Sequence, residues 1–98
     1  MTKSYLKTKK GVVKVTFELP SDVQAHKAVV VGEFNNWDPA ATPLKRKKDG
    51  SFSAALNLEI GKEYRYKFYL DGGRWENDPN PDRLVPNIFG TQDSLLTT

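Results

Sequence analysis

Val13, Val15, Phe17 and Leu19 alternate with Lys14, Thr16 and Glu18. A period of two predicts a strand with one face on a core and the other in water. Pro20-Ser21-Asp22 ends it, because these residues favour turns over ladders. Lys27 to Phe34 is a second strand, with its apolar residues consecutive from Ala28 to Val31. That spacing predicts a central position with both faces covered. Asn35-Asn36-Trp37-Asp38-Pro39 breaks the pattern and reads as a turn. Leu44 to Lys48 and Ser51 to Leu58 flank Asp49-Gly50, a hairpin signal because the turn needs positive φ. Phe52, Ala54, Leu56 and Leu58 fall on one face of the second arm. The next strand runs from Glu63 to Leu70, with Tyr64, Tyr66, Phe68 and Leu70 inward and Arg65, Lys67 and Tyr69 outward. Asp71-Gly72-Gly73 then turns the chain into Arg74-Trp75-Glu76. Asn77 to Asn87 holds Pro79, Pro81 and Pro86. It reads as an extended surface connection, since proline cannot donate within a central strand. Ser94 to Thr97 reads as a short closing strand. No segment carries a helical period, and short strands with turns between them predict an all-β sandwich.

At 98 residues the chain has material for one core. That leaves little for the second lobe that often completes an active-site cleft. The expected division is a flexible N-terminal segment, 1–10, and one β-sandwich domain, 11–98. Cysteine is absent, which excludes disulfides and thiolate metal sites and fits a reducing compartment. No signal-peptide pattern is apparent, and no apolar run approaches the roughly 20 residues of a membrane span. The expectation is therefore a soluble, cytoplasmic protein that does not engage membranes, and a monomer. The net charge of +3 is concentrated at Lys7–Lys9–Lys10 and Lys45–Arg46–Lys47–Lys48. Such runs can attract nucleic acid, but this excess is small and local and reads as solvation. No nucleic-acid partner is expected.

Phe17, Phe52, Tyr64, Tyr66 and Phe68 fall on core faces. Trp37 and Trp75 do not: each sits in a polar, turn-rich stretch. A single loop tryptophan is as readily a core plug as a binding residue. Two in one small domain point to an aromatic surface, which is costly to leave wet and implies a partner. A sugar ring fits, having an apolar C–H face and a rim of hydroxyls. Lys67, on the outward face just before the Trp75 turn, is placed to serve the rim. Half-covering an indole removes roughly 100 Å² of apolar surface, or about 2.5 kcal/mol. Two platforms then give weak binding of short chains, on the order of micromolar to millimolar. Tight retention needs a multivalent polymer.

Catalysis is not expected. A glycosidase needs paired carboxylates about one bond. The nearest set, Asp71, Glu76 and Asp78, clusters beside Trp75 on a turn without a pocket. His26 has no evident partners, and no metal-ligand or phosphate-loop spacing occurs. No cofactor is expected.

Gly32-Glu33-Phe34-Asn35-Asn36-Trp37 resembles the G-x-F-N-N-W segment of carbohydrate-binding module family 48. Tyr66-Lys67-Phe68 with Asp71-Gly72, Trp75 and Asp78-Pro79 resembles a second segment of that family, and Gly90-Thr91 with Ser94 resembles its final strand. The family includes the glycogen-binding domains of AMP-activated protein kinase β subunits and the N-terminal domains of isoamylases and branching enzymes. The resemblance spans Val12 to Leu96 and implies an immunoglobulin-like, early-set antiparallel β-sandwich. It implies non-catalytic binding of α-1,4-linked glucans such as glycogen, starch or maltodextrin. It also implies a carbohydrate-binding set of Trp37, Lys67, Trp75, Phe89, Thr91 and Asp93. Phe89 stands where the kinase-type domains have leucine. Asp93 stands where they have asparagine, so the acceptor is kept and the amide donor is lost. The alternative is a docking or regulatory module that positions a glucan-metabolising enzyme or kinase and has little sugar affinity of its own.

Overall fold

A computed structural model describes residues 1–5 and 10–98. Among the described residues nine strands follow one another: β1 Thr2–Tyr5, β2 Val12–Leu19, β3 Ala28–Gly32, β4 Lys45–Arg46, β5 Phe52–Glu59, β6 Glu63–Leu70, β7 Arg74–Glu76, β8 Arg83–Pro86 and β9 Gln92–Thr97. One sheet has the order β1-β2-β5-β4 and the other the order β3-β6-β9-β8, with β7 also pairing β6. Every pairing is antiparallel. The chain is an immunoglobulin-like, early-set β-sandwich.

Alternation in β2 and β6 builds the interface between the sheets. Val13, Val15, Phe17 and Leu19 meet Val30, Tyr66, Phe68, Leu70 and Leu96 from the facing sheet in one buried cluster. The Phe17 ring lies edge-on to Tyr66, with centroids 5.2 Å apart. Aromatic pairs of that geometry add to the area term.

β6 positions the site. Its first half pairs β9, from Glu63↔Thr97 to Tyr66↔Ser94. Its second half pairs β7, from Phe68↔Glu76 to Leu70↔Arg74. The partner changes at Lys67, so two separate segments pair along one edge of a single strand.

Three expectations differ from the structure. β3 is an edge strand of its sheet, not a central one. Residues 42–44 cover that edge: Val30 N donates to Thr42 O at 3.1 Å and Leu44 N to Ala28 O at 2.8 Å. Both faces of β3 are nevertheless covered, which is what its run of valines reports. The connection 77–87 includes a strand, β8, paired with β9 at the sheet margin. Pro79 and Pro81 precede it and Pro86 ends it, so proline is tolerated at the margin. Finally, Thr2–Tyr5 pairs with β2 as an outer strand, Thr2 opposite Thr16 and Tyr5 opposite Val13. The expected flexible start does not apply to those four residues. Its remainder at 6–9, with Lys7 and Lys9 of the basic run, lies outside the described residues.

Candidate functional site

On the outer face of the five-stranded sheet lies a cleft of about 1030 Å³. Trp37, Lys67, Trp75, Phe89, Thr91 and Asp93, the six residues named from sequence, all line it. Arg65, Pro86, Asn87 and Ile88 line it too and were not singled out. Arg65 was within reach of the sequence, since it shares the outward face with Lys67. Pro86 and Asn87 fall in what read as a connection, and Ile88 directly follows it.

Trp37 is placed by the residues just before it. The Asn35 carboxamide acts as a short backbone substitute after β3. Its Oδ1 accepts from Gly32 N at 3.0 Å, and its Nδ2 donates to Val30 O and Thr42 Oγ1, each at 3.0 Å. Asn36 and Trp37 then both take φ of 57°. Trp37 N closes the turn on Gly32 O at 2.9 Å. A left-handed tryptophan is uncommon and costs on the order of 1–3 kcal/mol, so the surroundings must impose it. Gly32 has an ordinary extended backbone, and its reason is space. A Cβ there would sit 2.6 Å from Arg65 O and 2.8 Å from Tyr66 Cβ. The outcome is an indole 39% exposed at the cleft margin.

Trp75 is placed by cross-strand pairing. It lies opposite Tyr69, with ring centroids 4.4 Å apart, and remains 53% exposed. The turn feeding it is fixed by Asp71, whose Oδ1 accepts from Lys27 N at 2.8 Å and His26 N at 2.9 Å. Those two backbone bonds hold the Asp71 carboxyl below its usual pKa of 3.8. Tyr69 OH donates to Gly72 O at 2.5 Å, which ties the turn to the stacking pair.

The floor is ionic. Lys67 Nζ stands 4.0 Å from Asp93 Oδ1, and Arg65 Nη1 stands 3.5 Å from Asp93 Oδ2. Asp93 Oδ1 also accepts from Asn87 Nδ2 at 2.9 Å. Asn87 builds the adjoining loop as well: its Oδ1 accepts from Phe89 N at 3.0 Å and Thr91 N at 3.1 Å, and its Nδ2 donates to Thr91 Oγ1 at 2.8 Å. Gly90 completes that loop at φ 79°. The loop holds Ile88 and Phe89 almost bare, 94% and 83% exposed. Apolar side chains held out beside two exposed indoles are the signature of a binding surface.

Over residues 13–92 the chain matches the family described as the glycogen recognition site of AMP-activated protein kinase. The chain belongs to this family. Glycogen recognition is thus the family's business, and it is a family of carbohydrate-binding modules, generally non-catalytic. The chain is also similar to the 1,4-alpha-glucan branching enzyme GlgB 2 of two strains of Xanthomonas campestris pv. campestris, at 33% identity over 51 residues. That stretch covers 51% of this chain and 7% of each relative. The chain therefore spans a small fraction of the length of those relatives.

The acidic residues beside Trp75 do not converge in this member of the family. Asp78 is buried, 3% exposed, and accepts from Tyr66 OH at 2.6 Å. Burial and that bond hold the Tyr66 phenol far above its ordinary pKa. Asp71 faces the amides of residues 26 and 27, and Glu76 pairs with Arg74 at 3.5 Å. The expected cluster is thus three separate structural groups. Asp78 N also donates to Ser94 Oγ at 2.9 Å, and Ser94 Oγ to Asn77 Oδ1 at 2.8 Å. This buried network ties the segment after β7 to β9, and so fixes both walls of the cleft. Among the described residues no group of three His, Cys, Asp or Glu could hold a metal ion, and no helix is long and apolar enough to cross a membrane.

Proposed function

We infer that the chain is a non-catalytic module that binds α-1,4-linked glucan, with Trp37 and Trp75 as stacking platforms and Lys67 as a hydroxyl donor. The observation that carries this reading is one cleft with two exposed indoles at its margin and a charged floor. Indoles cover the apolar faces of sugar rings, and ammonium and hydroxyl groups meet the rim. Thr91 and Phe89 extend the contact at the loop end. Glycogen, starch and maltodextrin share the chemistry that such a surface reads. The module acts as a monomer, in the cytoplasm.

The test is electrophoresis in gels containing glycogen. The chain should be retarded relative to its migration in a plain gel, and Trp37→Ala and Trp75→Ala should each run close to the plain-gel position. About 2.5 kcal/mol per platform corresponds to a loss approaching 100-fold. Retardation unchanged in both variants would show that the indoles are not platforms.

A second reading is a docking or regulatory module that positions a glucan-metabolising enzyme or kinase. The similarity to branching enzymes supports it, since there the matched stretch is a small part of a longer chain. Wild-type chain that migrates identically with and without glycogen would favour this reading.

A further inference from the structure

We propose that Arg65 is a sugar-binding residue of the cleft, donating hydrogen bonds to a pair of adjacent glucan hydroxyls. This rests on the reading of the cleft as a glucan site.

Free donors are scarce at the floor. An ionised carboxylate accepts only, and both oxygens of Asp93 already face partners, Asn87 and Lys67 at Oδ1 and Arg65 at Oδ2. A carboxamide carries two N–H hydrogens. Both of Asn87's go to Thr91 Oγ1 and Asp93 Oδ1. Neither side chain has a donor left for a ligand. Lys67 supplies one cationic donor group, but it is largely covered, with its side chain 15% exposed.

Arg65 differs on each point. It lies two residues before Lys67 on the outward face of β6 and lines the cleft. Its side chain is 40% exposed. Nη1 is anchored, donating to Pro86 O at 2.9 Å and lying 3.5 Å from Asp93 Oδ2. A guanidinium has five N–H donors in a rigid plane. Nε and Nη2 make no hydrogen bond to the described residues. One corner of the fork is fixed and another edge is left over. A group already held in place loses less freedom on binding than a free side chain does.

The geometry suits one chemical feature of the ligand. In an α-1,4-linked chain the 2- and 3-hydroxyls of each ring remain free and adjacent. A guanidinium edge presents two parallel N–H groups to a pair of neighbouring oxygens. Asp93 thus acts as a positioning residue, and its carboxylate aims the fork that does the contacting.

The test is calorimetric titration with maltoheptaose. Arg65→Met is expected to weaken binding about tenfold, in line with loss of a charged hydrogen bond. Arg65→Gln, with amide donors but no fork, is expected to lose several-fold. Both should stay folded, read by thermal melting, since Asp93 keeps Asn87 and Lys67 as partners. If one variant fails to fold, the other decides. The competing account is that Arg65 merely neutralises Asp93, and it is tested in the Asp93→Ala background. There Arg65→Met should still cost about fivefold, and no further loss would overturn the proposal. Wild-type affinity in a folded Arg65 variant, with Trp75→Ala impaired, would overturn this proposal and leave the glucan reading standing. No binding of maltoheptaose by the wild type would remove both.

Discussion

The outer faces of the two sheets are built by the same alternation and look nothing alike. On the four-stranded sheet, β2 and β5 turn Lys14, Thr16, Glu18, Ser53, Ala55 and Asn57 outward, all exposed or half-covered. On the five-stranded sheet the outward residues include Val31, Leu95 and Asp93, each buried, at 0%, 4% and 7% exposure. Among the described residues no third layer of secondary structure covers them. Long side chains stand beside them on the same face, Lys67 opposite Val31 and Arg65 opposite Leu95. A face that only has to be wet takes short polar residues. A face that has to hold a cleft combines buried apolar positions with charges pinned in ion pairs.

The largest expected break in this comparison is a charge placed on each face. Val31→Asp would bury a second carboxylate at a fully covered position, where the facing Lys67 already neighbours Asp93, and should cost on the order of 3 kcal/mol or more, read by urea unfolding. Thr16→Asp on the opposite face should cost under about 0.5 kcal/mol. Equal costs would show that the two outer faces are the same kind of surface.

Asn35→Ala is the next in size. It leaves Gly32 N and Val30 O without their side-chain partner and should cost roughly 1–3 kcal/mol. It should also lower glucan affinity, because Trp37 is held left-handed by that turn. Stability lost with affinity intact would mean that Trp37 keeps its place without Asn35.

The smallest effect is an acid-side slope. Asp71 has its folded pKa below the unfolded value near 3.8 because it accepts two backbone amides. Its contribution to stability is therefore complete above that unfolded value and is lost as pH falls through the lower folded one. Asp71→Asn should lower the melting temperature slightly at neutral pH, with the difference from wild type vanishing in acid, so that the acid-side fall is flatter. Asp49, on the opposite sheet's hairpin, is lowered by its Ser51 bonds, so Asp49→Asn should act in the same direction. A slope unchanged in both variants would show that neither turn is sensitive to its carboxylate.

Much of the molecule was legible in the chain. The alternations at 13–19 and 63–70 and the Asp49-Gly50 turn are local signals, and each appears where expected. Trp37 and Trp75 stood out because they break the alternation, and a residue off the pattern is free to serve a surface. β8 was hidden by its neighbouring prolines. The true place of β3 was hidden because a strand covered by a loop carries the same apolar run as a strand between two others.

The sequence by itself determined the sandwich class, the residues of the core and the pair of off-pattern indoles. These follow from side-chain direction and turn chemistry, which act over a few residues. Tertiary structure decided the rest. It changed β6's partner at Lys67 and set Arg65 and Lys67 on either side of Asp93. Those contacts join segments 20 or more residues apart in the case of Arg65 and Pro86. Pairing register between distant strands depends on how whole faces pack, and no local stretch of sequence contains that information.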